Sequence, residues 1–351
     1  MKRSMYCLIL VAVAVFLFIG AAVSAPMKPT TVAEIALYQG PDREQMLVEG
    51  AKKEGKLTFY TAGVMQAARP IFTAFQKKYP FIKVKVWRGG TNQLVPRVAE
   101  EYQARKYAVD VIEISQTGEI VFRESGISQP FYSPNLADIE AGALQKASGG
   151  GTFKAGHYIA ALSLAFNKTL ITEEQLPKTY QDLLDPKWKG KIPITSSNTG
   201  IFWVGNALEH FGEDFVKRLA EQKLVLHAMS GRALTDMIVA GEYAFSPCLS
   251  DAHVAKSREK GAPVDWRPLE PVPCFLMQMV LPKHPLNPHA AMLYMDFDLS
   301  RKAALLYKGS GYKPTHKGIP AERDFKKYYG PYSSKTIKKW NDIFNTLFMK
   351  R

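Results

Sequence analysis

The chain has 351 residues, of which 46% are hydrophobic and 11% aromatic, a composition that excludes a disordered protein and supplies a large folded core. Its 46 Lys and Arg residues exceed its 32 Asp and Glu residues, so the formal net charge is +14. Because the basic residues are dispersed among acidic ones, we expect no nucleic-acid binding but an attraction for anionic solutes.

Residues 1–25 have the order of a secretory signal peptide. Lys2 and Arg3 precede an apolar run over residues 5–19, and small residues follow directly. The apolar run is shorter than the roughly 20 residues that span a bilayer, which argues against a retained membrane anchor. We therefore expect cleavage near Ser24 or Ala25 and export of the mature chain to the periplasm.

The remaining chain alternates β-prone and helix-prone segments, which predicts an α/β fold. The predicted strands lie at residues 57–61, 84–87, 109–114, 158–166, 192–195, 224–229, 243–248 and 274–281. The predicted helices lie at residues 70–78, 94–105, 201–221, 234–240 and 289–299. This order indicates two α/β units joined by apolar strands that cross between them.

The predicted elements divide the mature chain into two lobes. We predict residues 26–160 and 271–325 as lobe I and residues 161–270 as lobe II. Residues 326–351 are predicted as a C-terminal basic helical tail, since their apolar residues recur at helical spacing. Such a tail is expected to end in a docked helix with a solvated basic face.

Small polar residues follow five of the predicted strands, where each strand ends and a helix begins. In open α/β sheets ligands bind at these strand ends, on the N–H groups of the helix starts. The same residue types also cap helices, but five such loops split between two units favour a ligand cleft. The candidate ligand-binding residues are Thr61, Ala62, Gly63, Arg88, Ser115, Gln116, Thr117, Ser197, Asn198, Thr199, Gly200, Arg232 and Asp251.

Four aromatic residues lie near the same loops and can either stack on the solute or fill the core. They are Tyr60, Trp87, Phe202 and Trp203. Nucleophile elbows, zinc-binding H-E-x-x-H pairs, phosphate loops and dinucleotide fingerprints do not occur in the sequence. We therefore expect neither an enzyme nor a bound cofactor.

Cys248 and Cys274 are the only cysteines that follow the expected leader. An oxidising compartment permits a disulfide between them, and the alternative is two buried thiols. The disulfide is the prediction, although the sequence does not supply the separation that a bridge requires.

Several segments, in order from residue 38 to residue 316, resemble the family 1 extracellular solute-binding proteins, which are the receptors of ABC importers. They include YQGPDREQMLVEGAKKEG at 38–55, FTAFQKKYPFIKVKVWRGG at 72–90 and DLLDPKWKGKI at 182–192. The similarity is greatest to the branch that contains the ferric-iron-binding proteins. It implies the type 2 periplasmic-binding fold, in which two α/β lobes joined by crossing strands close on a solute. It also implies a receptor that delivers its solute to the membrane subunits of an ABC permease. We expect the protein to be a monomer.

The sequence departs from the iron-binding members at one place. Those proteins carry adjacent tyrosines, which ligate ferric ion, just after the strand that corresponds to residues 243–248, whereas this chain has LSDAH at 249–253. A site of N–H groups, hydroxyls, Arg88 and Arg232 suits a small anionic organic solute, such as a carboxylate, phosphonate or phosphate ester. A ferric-iron or other metal receptor using Asp251, His253 and a synergistic anion is the second hypothesis. A secreted hydrolase is the third.

Overall fold

The computed structural model of the protein describes residues 29–349, apart from 321, 324 and 331, so the expected leader lies outside the described residues. The α-helices are α1 (Val32–Leu37), α2 (Arg43–Glu54), α3 (Met65–Lys78), α4 (Thr91–Gln103), α5 (Gln116–Glu124), α6 (Asn198–Glu221), α7 (Gly231–Ala240), α8 (Asp251–Glu259), α9 (Pro288–Asp298), α10 (Arg301–Gly309) and α11 (Ser334–Phe344). The strands are β1 (Lys56–Thr61), β2 (Lys83–Arg88), β3 (Val111–Ser115), β4 (Ser128–Gln129), β5 (Leu144–Lys146), β6 (Thr152–Asn167), β7 (Pro193–Thr195), β8 (Val225–His227), β9 (Phe245–Ser250), β10 (Val264–Arg267), β11 (Val272–Pro282), β12 (Lys313–Pro314) and β13 (Lys327–Tyr328).

Lobe I is built on β1, which pairs in parallel with both β2 and β3. Strand β11 adds to the sheet antiparallel to β3. Helices α3 and α9 cover one face, where the rings of Phe59, Phe72 and Phe75 surround Tyr294 with centroid separations of 5.1 to 5.7 Å. Phe59 and Phe75 meet Tyr294 edge to face, and such packing adds to the free energy of burying the rings.

Lobe II is built on β7 and β8, which pair in parallel, and on β9, β10, α6, α7 and α8. Helix α6 is broken at Gly212, whose φ of 79° is a left-handed conformation that favours glycine. Helix α11, in the predicted basic tail, packs on α6 and buries Trp340 and Phe344. The indole N–H of Trp340 donates to the carboxylate of Glu209 at 2.9 Å.

Strand β6 is 16 residues long and runs through both lobes. It pairs with β11 from Ala155 to Ala161, and beyond Ala161 it pairs with β9 and β10. Its nearly continuous burial is typical of a strand covered on both faces. The predicted fold class, two α/β lobes joined by crossing strands, is therefore confirmed. No helix of the described part of the chain combines the length and the apolar character that a membrane span requires.

The predicted helix at residues 70–78 begins earlier than expected, at Met65. The carbonyl of Val64 accepts the N–H groups of Ala67 and Ala68 at 2.9 and 3.3 Å, which starts the first turn before Pro70. Pro70 lies inside the helix and leaves one carbonyl without its helical hydrogen bond. The free energy gained by burying one face of α3 outweighs the loss of that hydrogen bond.

The predicted disulfide is wrong, since Cys248 and Cys274 are both free thiols. Each thiol lies near a polar group of its own strand: Cys248 Sγ is 3.7 Å from the hydroxyl of Ser246, and Cys274 Sγ donates to the carbonyl of Val272 at 3.4 Å. Burial raises the pKa of Cys248 to about 11 and that of Cys274 to about 12. Both cysteines are protonated core residues of low reactivity.

Candidate functional site

A cavity of about 640 Å³, here called the cleft cavity, opens between the two lobes. Its lobe I wall follows the carboxyl ends of β1, β2 and β3, and its lobe II wall follows the starts of α6, α7 and α8. The crossing strands β6 and β11 form its floor with Tyr158, Leu162, Phe275 and Met277. This is the edge at which α/β sheets bind ligands.

The predicted ligand-binding residues fall into three groups in the structure. Those that line the cleft cavity are Ala62, Gly63, Arg88, Ser115, Asn198, Thr199 and Arg232. Thr117 and Ser197 line an adjoining cavity instead. Thr61, Gln116, Gly200 and Asp251 line neither of these two cavities and support the walls from behind.

Thr61, Gln116 and Gly200 are therefore corrected from ligand contacts to wall supports. The hydroxyl of Thr61 bonds the carboxylate of Glu113 and accepts the N–H of Gly63 at 2.7 Å. The side-chain amide of Gln116 bonds the main chain of β11 twice, at 2.8 Å. A Cβ on Gly200 would collide with the carbonyl of Thr195, so glycine permits this close approach.

The prediction that Asp251 contacts the ligand is also wrong, since Asp251 does not line the cleft cavity. Its carboxylate accepts the N–H groups of Ala161 at 3.0 Å and Ala252 at 2.8 Å, and it lines a different cavity beside Trp266. Burial raises the pKa of Asp251 to about 7. Its role in the structure is to tie the start of α8 to the crossing strand β6.

The four predicted aromatic residues do not line the cleft cavity. The rings of Tyr60 and Trp87 contact each other at a tilt of 51° with a centroid separation of 5.3 Å, and the guanidinium of Arg97 lies over both. Trp203 is fully buried in lobe II, and Phe202 lines the adjoining cavity. All four therefore belong to the core or its margin.

Four cationic side chains line the cleft cavity, and no carboxylate of the described residues does. They are Arg88, Arg232, Lys256 and Lys260. The guanidinium of Arg232 bonds Asp236 on its own helix and donates to the carbonyl of His253 at 3.2 Å. Arg88 donates from Nε to the carbonyl of Gly63 at 3.3 Å. These bonds hold the two guanidinium groups in defined positions on opposite walls.

Helix N-termini add to the positive potential of the cleft cavity. Ser197 accepts the N–H of Thr199 at 3.4 Å at the start of α6, and Ser230 accepts the N–H of Ala233 at 3.2 Å at the start of α7. The positive ends of these helix dipoles favour an anion. Together with the cations, they form a site that can replace the hydration of an anionic group.

The carboxylate of Glu113 lies behind Gly63, and Glu113 is 1% exposed. His157 Nε2 lies 3.1 Å from it, and Asp298 bonds the other ring nitrogen. Burial lowers the pKa of His157, but Asp298 and Glu113 outweigh that effect and raise it to about 9. At neutral pH the imidazolium therefore offsets the charge of Glu113 behind the cleft wall.

Several residues that line the cleft cavity were not predicted from the sequence, among them Tyr158, Lys256, Lys260 and Tyr312, and His253 was proposed only as an alternative metal ligand. His253, Lys256 and Lys260 recur at helical spacing along and just after α8, a signal that was available in the sequence. Burial and Arg232 lower the pKa of His253 to about 4, so its ring is neutral at pH 7. Tyr158 and Tyr312 meet with a ring-centroid separation of 4.8 Å only through the tertiary fold.

The proposed metal ligands do not come together in the cleft cavity, since His253 lines it and Asp251 does not. Among the described residues no group of three or more His, Cys, Asp or Glu side chains is placed to hold a metal ion. Burial and Glu113 raise the pKa of Tyr158 well above its usual value, which opposes formation of a phenolate there. The donors present suit an anion better than a hard cation.

Two α/β lobes that enclose a cleft define a solute-binding protein of the periplasmic type. Residues 121–344 match the bacterial extracellular solute-binding proteins, and the chain belongs to this family. It is accordingly a solute-binding receptor of an ABC importer that works outside the cytoplasm. No curated protein sequence matches the chain.

Solved structures of periplasmic binding proteins share the fold. Iron-bound HitA from Pseudomonas aeruginosa is 21% identical with a TM-score of 0.71, covering 83% of this chain and 99% of its own. AfuA from Actinobacillus pleuropneumoniae, with fructose-6-phosphate bound, is 22% identical with a TM-score of 0.70, covering 85% and 100%. FutA from Trichodesmium, in complex with iron and citrate, is 20% identical with a TM-score of 0.67, covering 84% and 99%. At these identities the similarity shows the fold alone.

Proposed function

We propose that the cleft cavity captures a small anionic organic solute, which the protein delivers to the membrane subunits of an ABC permease. The observation that carries this proposal is the set of four cationic side chains that face the cavity without a facing carboxylate. An anion that leaves water must regain its hydration energy from charged and N–H donors. Arg88 and Arg232 supply such donors from opposite lobes, so one anion in contact with both would hold the cleft closed.

Proteins with the same fold support an organic anion as the solute and leave ferric iron as the second candidate. AfuA carries a sugar phosphate, and FutA carries iron together with citrate, itself a carboxylate. Iron-bound HitA shares the fold. We rank ferric iron second because the described residues offer no cluster of three His, Cys, Asp or Glu side chains, and because this chain lacks the adjacent tyrosines of the iron-binding members after β9, whereas a bound organic anion requires neither.

We further propose that the protein acts as a monomeric receptor without catalytic activity, released from its leader near Ser24 or Ala25. The lobe limits proposed for it are residues 26–160 with 271–325, and residues 161–270. Strand β6 is buried and runs through both lobes, which supports a hinge between two lobes of one molecule.

A thermal-shift screen of the mature protein tests the proposed function. The panel contains acetate, citrate, methylphosphonate, glucose 6-phosphate, ferric citrate and ferric nitrilotriacetate, with glucose and choline as uncharged and cationic controls. A solute at 100 times its dissociation constant stabilises the folded protein by about 2.7 kcal/mol. Stabilisation by iron-free anions supports the proposal. Stabilisation by both ferric salts and by no iron-free anion would overturn it in favour of the iron receptor.

A further inference from the structure

A second cavity, of about 450 Å³, adjoins the cleft cavity, and the proposed function does not depend on it. We call it the distal cavity. Thr91, Asn198 and Phe275 line both cavities, so the two spaces meet at these residues. The distal cavity lies between α4 and α5 of lobe I and α6 of lobe II, and α11 borders it.

The two cavities differ in charge. Four cations line the cleft cavity, whereas no Asp, Glu, Lys or Arg of the described residues lines the distal cavity. Val95 and Val121 from lobe I and Ile201, Phe202 and Ile337 from lobe II and α11 give it apolar walls. A few polar side chains, including the hydroxyls of Thr117 and Ser197 and the amide of Asn198, line the distal cavity as well.

The far wall of the distal cavity is held in place by tertiary contacts. The indole of Trp340 donates to Glu209 at 2.9 Å, and a Cβ at Gly205 would collide with its ring, so helices α6 and α11 approach closely there. The rings of Phe202 and Phe275 lie with a centroid separation of 4.2 Å. Fixed aromatic walls of this kind form a preorganised apolar surface, which binds an apolar group at a low entropic cost.

We infer that the solute is an anion with an uncharged, mainly apolar extension. The anionic group lies in the cleft cavity near Arg88 and Arg232, and the extension enters the distal cavity past Asn198. This inference rests on the proposed function, because it assigns the charged end of the solute to the same cations. A compact anion such as phosphate would leave the apolar walls in contact with water, whereas an alkyl or aryl extension removes them from water.

Titration calorimetry with two pairs of probes tests the inference: acetate against 4-phenylbutyrate, and methylphosphonate against benzylphosphonate. Each pair keeps the anionic group and changes the extension. We expect the extended member of each pair to bind about tenfold more tightly or better, as the burial of several carbon atoms predicts. Ile337→Trp, which fills the distal cavity from α11, should abolish this preference. Ile343→Trp is the matched control on the same helix, since Ile343 does not line the cavity, and it should keep the preference.

The outcomes separate the two proposals. If no iron-free anion binds, short or extended, the proposed function itself fails. If short anions bind and the extension brings no gain, the proposed function stands and the distal cavity is not part of the solute site. A preference for extended anions that Ile337→Trp leaves intact would likewise overturn the assignment to the distal cavity. Circular dichroism and the melting temperature of both variants establish that each is folded.

Discussion

The side-chain amide of Asn198 donates a hydrogen bond of 3.2 Å to the side-chain oxygen of Asn92, and this bond joins α6 of lobe II to α4 of lobe I across the mouth of the cleft. The bond is exposed to solvent. A neutral hydrogen bond of this kind contributes only about 0.5–1.5 kcal/mol. It therefore favours closure without preventing the lobes from opening.

Asn92→Ala should loosen the closed arrangement, because the replacement removes the acceptor of that bond. Small-angle scattering should show a larger radius of gyration for the ligand-free variant than for the unchanged protein. Solute affinity should fall by no more than about tenfold, as one neutral hydrogen bond predicts. Asn345→Ala, an exposed change outside the cleft, is the control. A variant with an unchanged radius and unchanged affinity would show that the bond has no part in closure.

Arg232→Ala should weaken binding of the anion by about 1.5–3 kcal/mol, the range for hydrogen bonds to charged groups, while leaving folding almost unchanged. The side chain is 43% exposed, so its loss leaves little buried area unfilled. Titration calorimetry of both proteins with an anion identified by the thermal-shift screen measures the difference. Arg218→Ala makes the same charge change on an exposed part of α6 outside the cleft cavity and should bind normally. Equal affinities for Arg232→Ala and the unchanged protein would remove Arg232 from the site.

Asp251→Asn should make the protein less sensitive to pH between about 4 and 7. Burial raises the pKa of Asp251 to about 7, so the folded state favours the protonated acid, and its free energy of unfolding falls as pH rises from about 4 to about 7. Asparagine keeps an oxygen for the N–H groups of Ala161 and Ala252 without a charge. Urea unfolding at pH 4.5 and 7.5 measures the change. Asp214→Asn, at an almost fully exposed position, should leave the pH dependence as it is.

His157→Gln should make the melting temperature less sensitive to a rise in pH from 6.5 to 9.5. The pKa of His157 is raised to about 9, above its ordinary value, so the protonated ring stabilises the folded state. That contribution is complete below about pH 6.5 and is lost as pH rises through 9. The melting temperature of the variant should therefore change less between pH 6.5 and 9.5 than that of the unchanged protein. The exposed variant His284→Gln should follow the unchanged protein, and the same slope for His157→Gln would contradict the assignment.

Trp340→Ala should lower the free energy of unfolding by about 3–5 kcal/mol, because it empties a fully buried position between α11 and α6. Urea unfolding followed by circular dichroism measures the loss. Lys338→Ala on the exposed face of the same helix should change stability by less than about 0.5 kcal/mol. A loss below about 1 kcal/mol for Trp340→Ala would mean that α11 is only loosely attached.

The sequence predicts local features of the site better than the contacts between distant segments. Arg88 and Arg232 follow strands whose ends are readable from the sequence, and both line the cleft cavity. Asp251 has the same local position, but its carboxylate turns to the N–H of Ala161 on β6, 90 residues away. Tyr312 reaches the cavity from beyond α10, and no local pattern marks that approach. Burial in the interior decides such placements, and it is set by the tertiary fold.

The order in which the chain is synthesised has a consequence for lobe II. Its core contains Phe202 and Trp203 together with Trp340, Phe344 and Phe348, and the bond between Glu209 and Trp340 spans 131 residues. Lobe I likewise depends on β11, which pairs with β3 from nearly half the chain away. Neither core is complete when only the first three quarters of the polypeptide has left the ribosome. A chain that folds late, through such non-local contacts, is well suited to cross a membrane first and fold on the far side.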